Sequence, residues 1–423
     1  MSGTVAVDGR TFDLAALRRR TLWVLSIGQV LGGLAFGATV SLGAVLAASV
    51  SGQDALSGLA AASTTLGAAI AAIPLARLAR RRGRRPALST GMAVALAGVM
   101  LVLVAGGLRS FPVLIAGFLL IGSGQAANLQ SRFAAVDLAT DRSRGRDLSV
   151  VVWATTIGAV LGPNLVGPGE ALGDALGMPH LTGPYLFTVA AQLLGIALYL
   201  SALRPDPLRL ADRIAAGASA VRSAVMHTDR PRAARYAIFA TAAAHGVMAS
   251  VMAMTPIHLM GEGATIEIVG LTISLHILGM YGLSPVFGIL ADRVGRVATI
   301  LLGQALFVGA LTTAALGQMS TFAVTIGLIL LGLGWSASTV AGSALLTEAS
   351  AEALRTRRQG RSDLAMNLVG SIGAILAGVI LGRLGYAGLA WCALAIVVVV
   401  AALSPLGRHR HPTVAPESER ART

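Results

Sequence analysis

Twelve long apolar runs dominate this sequence of 423 residues and limit what it can fold into. Each run has about 20 or more mostly apolar residues, the length that an α-helix needs to cross the hydrocarbon core of a bilayer. Membrane-spanning strands would instead alternate in polarity over about ten residues. The runs therefore predict an all-α membrane protein with twelve transmembrane helices. They cover residues 22–49, 55–79, 87–108, 112–137, 148–169, 183–203, 236–260, 266–290, 297–317, 322–347, 364–385 and 387–406.

The composition excludes several classes of protein. Apolar residues make up 55% of the chain and charged residues 12%, whereas soluble domains carry about 25% charged residues. The net charge of +14 comes from arginines in short clusters between the apolar runs, not on one basic surface. We therefore expect membrane lipid, and no nucleic acid, as a partner. The chain has one cysteine and shows no catalytic triad, phosphate loop or paired carboxylates, so we expect no disulfide and no enzyme.

The distribution of arginine predicts the orientation. If the N-terminus is cytoplasmic, all arginines except Arg109 and Arg383 fall in cytoplasmic segments. This asymmetry predicts that both termini are cytoplasmic, in the cytoplasmic membrane of a bacterium. The predicted division is a tail (1–21), a six-helix bundle (22–203), a basic linker (204–235), a second six-helix bundle (236–406) and a second tail (407–423).

The second half of the sequence repeats the first. Residues 288–296 read GILADRVGR, and residues 76–84, at an offset of 212, read ARLARRRGR. A second pair of related segments, 142–148 and 357–364, follows the fourth and tenth runs. Two parallel six-helix repeats imply a pseudo-two-fold axis along the membrane normal, with a substrate site between the halves near mid-membrane.

Residues 288–296 resemble the G-x-L-A-D-R-x-G-R loop of the major facilitator superfamily. The resemblance implies two pseudo-symmetric bundles of six helices that act as a secondary transporter, without a resident cofactor. It also implies that Asp292, Arg293 and Arg296 act as a cytoplasmic gate. The first-half copy has Arg80 where the loop expects aspartate. We expect the protein to be a monomer.

Two further helices carry candidate functional residues. Gly158, Gly162 and Pro163 in the fifth run resemble the G-x-x-x-G-P signature of antiporters of this superfamily, which packs closely against a helix of the other half and favours export. In the fourth run a polar face at spacing i, i+3 and i+7 is predicted to border the cavity. It consists of Gln125, Asn128 and Arg132.

Methionine and histidine are concentrated in the seventh and eighth runs. Met248 and Met252 lie one helical turn apart on one face, and so do His276 and Met280. Both pairs reach the predicted mid-membrane depth. Thioether and imidazole groups are ligands that suit copper, and thioethers prefer Cu(I). Methionine is also a common gap-filler in apolar cores, so packing is the alternative interpretation.

The motifs Met248-x-x-x-Met252 and His276-x-x-x-Met280 resemble those of the copper-uptake transporters of the CcoA type. The resemblance implies that these four residues bind copper as the transported substrate. We add His245 and Met254 as auxiliary candidates.

Three functions therefore remain open. The leading hypothesis is a secondary transporter that imports copper. The alternative is a proton-coupled exporter of small organic or drug-like compounds, with His245 or His276 carrying the proton. A membrane sensor or scaffold that transports nothing is the third.

Overall fold

The computed structural model describes residues 4–7, 10–53, 56, 58–140, 143–219 and 229–407. The first element is a hairpin of two antiparallel strands, β1 (Thr4–Val7) and β2 (Arg10–Asp13). The helices that follow are α1 (Leu14–Ser51), α2 (Gly58–Arg82), α3 (Arg84–Leu108), α4 (Phe111–Ala134), α5 (Arg144–Asn164), α6 (Val166–Ala175), α7 (Tyr185–Ala202), α8 (Pro207–Ser219), α9 (Pro231–Gly261), α10 (Ile266–Tyr281), α11 (Ser284–Arg293), α12 (Arg296–Leu316), α13 (Thr321–Glu348) and α14 (Glu352–Ala402). A 3-10 helix, Ser404–Gly407, follows α14.

The helices account for the predicted spans. Within the described part of the chain, nine helical stretches are long and apolar enough to cross a membrane. One of them, Glu352–Ala402, joins the last two predicted runs at Gly385, where a φ of 69° interrupts the helix. The first run lies in α1, and the fifth run begins in α5 and extends into α6. Some side chains of α1 and α5 are outside the described part of the chain. The prediction of an all-α membrane fold with twelve spans is confirmed.

Two helical bundles, α1–α7 and α9–α14, each have an apolar core of their own. Phe118 and Leu114 belong to the core of the first bundle, and Phe307 and Leu328 to that of the second. The bundles meet where α2 packs on α14 and α5 packs on α11. Alternating access in such a pair of repeats needs this boundary to open and close while each core stays intact.

The repeated loop has the same backbone conformation in both bundles. Gly83, between α2 and α3, has a φ of 97°, and Gly295, between α11 and α12, has a φ of 109°. Residues with a side chain rarely adopt this conformation, which explains glycine at both places. The repeat seen in the sequence is therefore also a repeat of local structure.

The ends of the first bundle differ from the sequence prediction. Helix α1 begins at Leu14, so residues 14–21 are helical and do not form a tail. Asp13 caps the helix, since its carboxylate accepts hydrogen bonds from the backbone N–H of Ala15 and Ala16 at 2.9 and 3.2 Å. The predicted linker contains α8, with Leu208 and Leu210 buried, and it ends where α9 begins at Pro231. Residues 220–228 of the linker and 408–423 of the C-terminal tail lie outside the described residues.

Two spans of the second bundle also differ from their predicted runs. The eighth span is divided into α10 and α11, and Pro285 occupies the first turn of α11, a position that proline tolerates well. Helix α14 begins at Glu352, twelve residues before the predicted run. Asp363, which directly precedes the predicted run, therefore lies about three turns inside a helix.

Candidate functional site

One end of the molecule carries most of the described arginines, including residues 80–85, 293–296 and 355–361. We call this end the arginine-rich face. Among the described residues, the hydrogen bonds that join the two bundles lie toward this face. The structure is therefore closed on this side.

Asp292 joins the two bundles at the arginine-rich face. Its two carboxylate oxygens accept hydrogen bonds from the backbone N–H of Gly145 and Arg146, at 2.8 and 2.9 Å. These N–H groups belong to the first turn of α5, where helices leave such donors without partners and where negative charge is favoured. Arg296 forms an ion pair with the same carboxylate at 2.6 Å and a second one with Glu348 at 3.4 Å. The Arg293 side chain is exposed.

The corresponding arginine of the first bundle also reaches across. Arg84 forms a bidentate pair with Asp137, at 2.8 and 3.1 Å, and donates to Gln359 Oε1 of α14 at 2.7 Å. Both charged side chains are almost completely buried. Near the same face the Arg358 guanidinium and the Ala351 N–H bind Asp229, and these hydrogen bonds lower the pKa of its carboxyl.

A buried ion pair between the bundles lies deeper than these contacts. Arg132 of α4 donates to Asp363 Oδ1 of α14 at 2.6 Å, and the exposed fractions of the two side chains are 2% and 0%. Arg132 also lies 4.0 Å from the Met366 sulfur. The second carboxylate oxygen of Asp363, Oδ2, has no hydrogen-bond partner among the described residues. The sequence predicted Arg132 at the cavity but missed its partner.

Three aromatic side chains of the second bundle form a cluster next to this pair. The Trp335 indole N–H donates to His245 Nδ1 at 3.0 Å, and the Trp335 and Tyr281 rings meet edge to face with centroids 5.6 Å apart. Tyr281 packs against a small apolar cluster that contains residues of both bundles, among them Val152 of the first and Val340 of the second. The aromatic cluster therefore lies at the boundary between the halves. Arg132 is close enough for its positive charge to interact with both His245 and Tyr281.

Several polar side chains close to this boundary are only partly satisfied. Asn128 lies against α1, where a Cβ on Gly32 would come within 2.2 Å of its amide. Gln125 is half-buried. Four side-chain oxygens of α1, α4 and α14 are among those that have no hydrogen-bond partner in the described residues. They are Gln29 Oε1, Gln125 Oε1, Asn367 Oδ1 and Asp363 Oδ2. Buried oxygens of this kind are usually satisfied by a bound molecule or water.

The predicted copper ligands and auxiliary candidates have different surroundings in the structure. Met248 and Met280 are buried in one apolar cluster, and Met252 packs against it. The Met254 sulfur faces α14, 4.0 Å from where a Cβ of Gly378 would lie. His245 is held by Trp335 and by close contact with Gly370. Neither auxiliary candidate is part of the methionine cluster.

His276 has one ring nitrogen without a partner. Its Nδ1 lies 2.7 Å from the Leu328 carbonyl oxygen, so Nδ1 carries the proton and Nε2 the lone pair. Nε2 is buried and makes no hydrogen bond to any described residue. The backbone at His276 and Met280 packs against Gly332 of α13. In the part of the chain that is described, no three His, Cys, Asp or Glu side chains form a metal-binding group.

The glycine motif of α5 packs closely, but within its own bundle. A Cβ on Gly158 would come within 2.2 Å of the Val30 carbonyl oxygen in α1. In this structure Gly158 therefore packs against α1 of its own bundle, and a contact of the motif with the other half stays a prediction. Gly162 is buried, and the Pro163 side chain lies outside the described residues. The contact of α5 with the other bundle lies at its opposite end, where Gly145 meets Gly288.

These features define a membrane transporter of two six-helix bundles, closed at one face. A model of the Major Facilitator Superfamily matches residues 25–265 and 237–423. The chain is 37% identical over 381 residues to the uncharacterized MFS-type transporter YdeG of Bacillus subtilis (strain 168), with 88% of each protein covered. The chain belongs to the major facilitator superfamily. It is thus a transporter and not an enzyme.

One relative has a named substrate. The chain is 28% identical over 399 residues to the riboflavin transporter RfnT of Brucella anthropi, covering 91% of this chain and 95% of that protein. Among solved structures, the human organic anion transporter MFSD10 has a TM-score of 0.73 at 17% identity and covers 92% of this chain and 99% of that one. The Escherichia coli fucose:proton symporter FucP has a TM-score of 0.65 at 17% identity, with coverage of 92% and 98%. At this identity the two structures show the fold alone.

Proposed function

We propose that this transporter moves a small planar organic solute across the bacterial cytoplasmic membrane, coupled to protons. The observation that carries the proposal is the cluster of Trp335, Tyr281 and His245 at the boundary between the bundles, in range of Arg132. Aromatic rings bind planar solutes by stacking and edge contacts. Nearby oxygens without partners, such as Gln125 Oε1, could accept hydrogen bonds from such a solute.

The buried pair of Arg132 and Asp363 supports coupling to protons. A proton on Asp363 would remove the charge that binds Arg132, and the pair joins the bundles on the side that is closed. Protonation would therefore weaken closure, as a proton-coupled cycle requires. In this proposal the arginine-rich face is cytoplasmic, supported by the arginine asymmetry, and Asp292 with Arg296 forms the gate there.

Riboflavin is the first solute to test, because a relative that matches nearly the whole chain is named as its transporter. In proteoliposomes with a proton gradient, we expect saturable transport of labelled riboflavin by the wild type. Trp335→Ala should reduce it about tenfold or more, since a lost aromatic contact costs about 1 kcal/mol in addition to the lost buried area. Trp23→Ala is the matched control, as Trp23 is 67% exposed. Equal loss in both variants would argue against a site at Trp335.

Copper import is the second candidate. It is favoured by the free lone pair of His276 Nε2 in the same bundle as the buried thioethers of Met248 and Met280. In this second proposal, His276, Met248 and Met280 bind copper as the transported substrate.

The copper hypothesis is tested by the metal content of cells in low-copper medium. Cells with wild type should hold several-fold more copper than cells with His276→Ala/Met280→Leu, because one imidazole and one thioether are removed while the volume at position 280 is kept. Met319→Leu, at a site that is 75% exposed, controls for loss of a methionine. The same copper content in all strains and in empty cells would mean that the methionine cluster only packs the core.

A further inference from the structure

Four arginines surround a cavity of about 250 Å³ between the bundles at the arginine-rich face. Two of them, Arg77 and Arg80, lie at the end of α2, and two, Arg357 and Arg361, lie in the first turns of α14. All four side chains are exposed, and no carboxylate lines this cavity. Each bundle therefore presents two like charges to the other.

The contact related to this one by the pseudo-two-fold axis, between α11 and α5, has different residues. Gly288 contacts Gly145 there, and Asp292, four residues further on, binds the start of α5. In the first bundle the equivalent contact is that of Ala76 with Gly360, and the residue four positions further on is Arg80. The carboxylate that joins the bundles on one side of the axis is thus replaced on the other side by a cation.

Nearby acidic groups do not cancel this charge. An adjoining cavity of about 400 Å³ shares Arg80 and is lined by three carboxylates, Asp137, Asp212 and Glu352. Asp137 is already held by Arg84, and the other three arginines line only the first cavity. Arginine guanidinium groups bind phosphate oxygens with matching geometry. The four positive charges are therefore expected to oppose closure of the bundles here, and a bound anion to favour it.

An exposed apolar strip leads from the arginine cavity along the same faces of both helices. On α2 it contains Leu66 and Ile70, which are 48% and 58% exposed, and on α14 Leu368 and Ile372, which are 44% and 48% exposed. The spacing of these residues from Arg77 and Arg361 keeps them on the cavity side of their helices. A ligand with a phosphate group and an acyl chain would match both parts. Basic pockets between membrane helices are known to hold anionic lipid headgroups.

We propose that this cavity binds the phosphate of an anionic phospholipid, whose acyl chain lies along the strip between α2 and α14. Because two arginines come from each bundle, the bound phosphate bridges the halves where the aspartate of the family loop is missing. The lipid stabilises the state that is closed at the arginine-rich face.

The test uses the purified full-length protein in detergent, with dioleoylphosphatidylglycerol as the probe. Native mass spectrometry measures its binding, and thermal unfolding measures the stabilisation. We expect the variant Arg77→Gln/Arg361→Gln to bind this lipid at least tenfold more weakly, because two charges that contact the phosphate are lost. Arg77→Lys/Arg361→Lys should fall between this variant and the wild type, as lysine keeps the charge without the bidentate geometry. The control, Arg82→Gln/Arg383→Gln, removes the same charge from the same helices at exposed positions outside the cavity.

Three results would overturn the proposal. The first is equal weakening by the cavity variant and the control, which would mean only general attraction to the membrane. The second is equal binding of dioleoylphosphatidylcholine, which would remove the role of net negative charge. The third is the same stabilisation by inorganic phosphate alone, which would make the site one for a soluble anion. Loss of fold is checked by the unfolding temperature without lipid, which the exposed positions of the four arginines should leave unchanged.

Discussion

Replacement of Arg132 by alanine is expected to lower the free energy of unfolding by about 3–5 kcal/mol, because it leaves a buried carboxylate without its partner. Asp363 is 0% exposed, and its carboxylate forms an ion pair with Arg132. Thermal unfolding in detergent should show a drop of several degrees. The double variant Arg132→Ala/Asp363→Ala should recover much of this loss, because no buried charge remains.

The same pair tests coupling. Asp363→Asn keeps the shape of the side chain and an oxygen that accepts a hydrogen bond from Arg132, but it removes the charge. We therefore expect a less stable but folded protein that no longer drives transport with a proton gradient. Solute exchange without a gradient should persist. Asp174→Asn, at an exposed position, is the matched control. If the wild type and Asp363→Asn respond equally to the gradient, Asp363 is not the coupling group. If Arg132→Ala and the double variant are equally unstable, the unpaired charge of Asp363 is not the cause of the lost stability.

A second large effect is expected from Gly288→Ala. A Cβ at Gly288 would lie 2.1 Å from Ser149 Oγ and 2.5 Å from the Gly145 carbonyl oxygen, both on the other bundle. Overpacking of this kind costs about 1–3 kcal/mol. The contact exists only while the arginine-rich face is closed, so the cost falls on that state. We expect a shift of roughly 5- to 150-fold toward the open state, measured by distances between spin labels placed on the two bundles at this face.

Gly122→Ala gives the contrast. Its Cβ would lie 2.2 Å from the Thr64 carbonyl oxygen and 2.4 Å from the Ala68 backbone nitrogen, and both residues belong to the same bundle as Gly122. This variant should unfold at a lower temperature without changing the distances between the bundles. Gly270→Ala, which meets nothing within 4 Å, should change neither property. The prediction fails if Gly288→Ala lowers the unfolding temperature as Gly122→Ala does and leaves the distances unchanged.

Only part of the candidate site could be predicted from the sequence. The spacing of polar residues predicted a polar face on α4, and Arg132 of that face pairs with a residue of the other bundle. Its partner Asp363 lies just before the predicted run 364–385, because the segment before that run is rich in arginine and polar residues. That segment is helical, and the two residues are separated by 231 positions in the chain. Tyr281 was missed, although it directly follows Met280 in the same predicted run and is the last residue of α10.

The methionine motifs illustrate the opposite case. A spacing of four residues correctly predicts a shared helix face, but it does not tell whether that face meets a cavity or the core. Met248 and Met280 lie in the core cluster with Phe307, and His245 is bound to Trp335 of another helix. Copper binding stays a prediction.

The sequence by itself determined that this is a membrane protein with twelve spans in two related halves, and its loop motif indicated the superfamily. These properties depend on the length of apolar runs and on the residues of short loops, both of which are local features of the sequence. Only the tertiary structure decided that Asp363 pairs with Arg132, that Gly158 faces α1, and that four arginines of α2 and α14 share one cavity. These contacts depend on how each helix is rotated and where it begins, and packing between distant segments sets both.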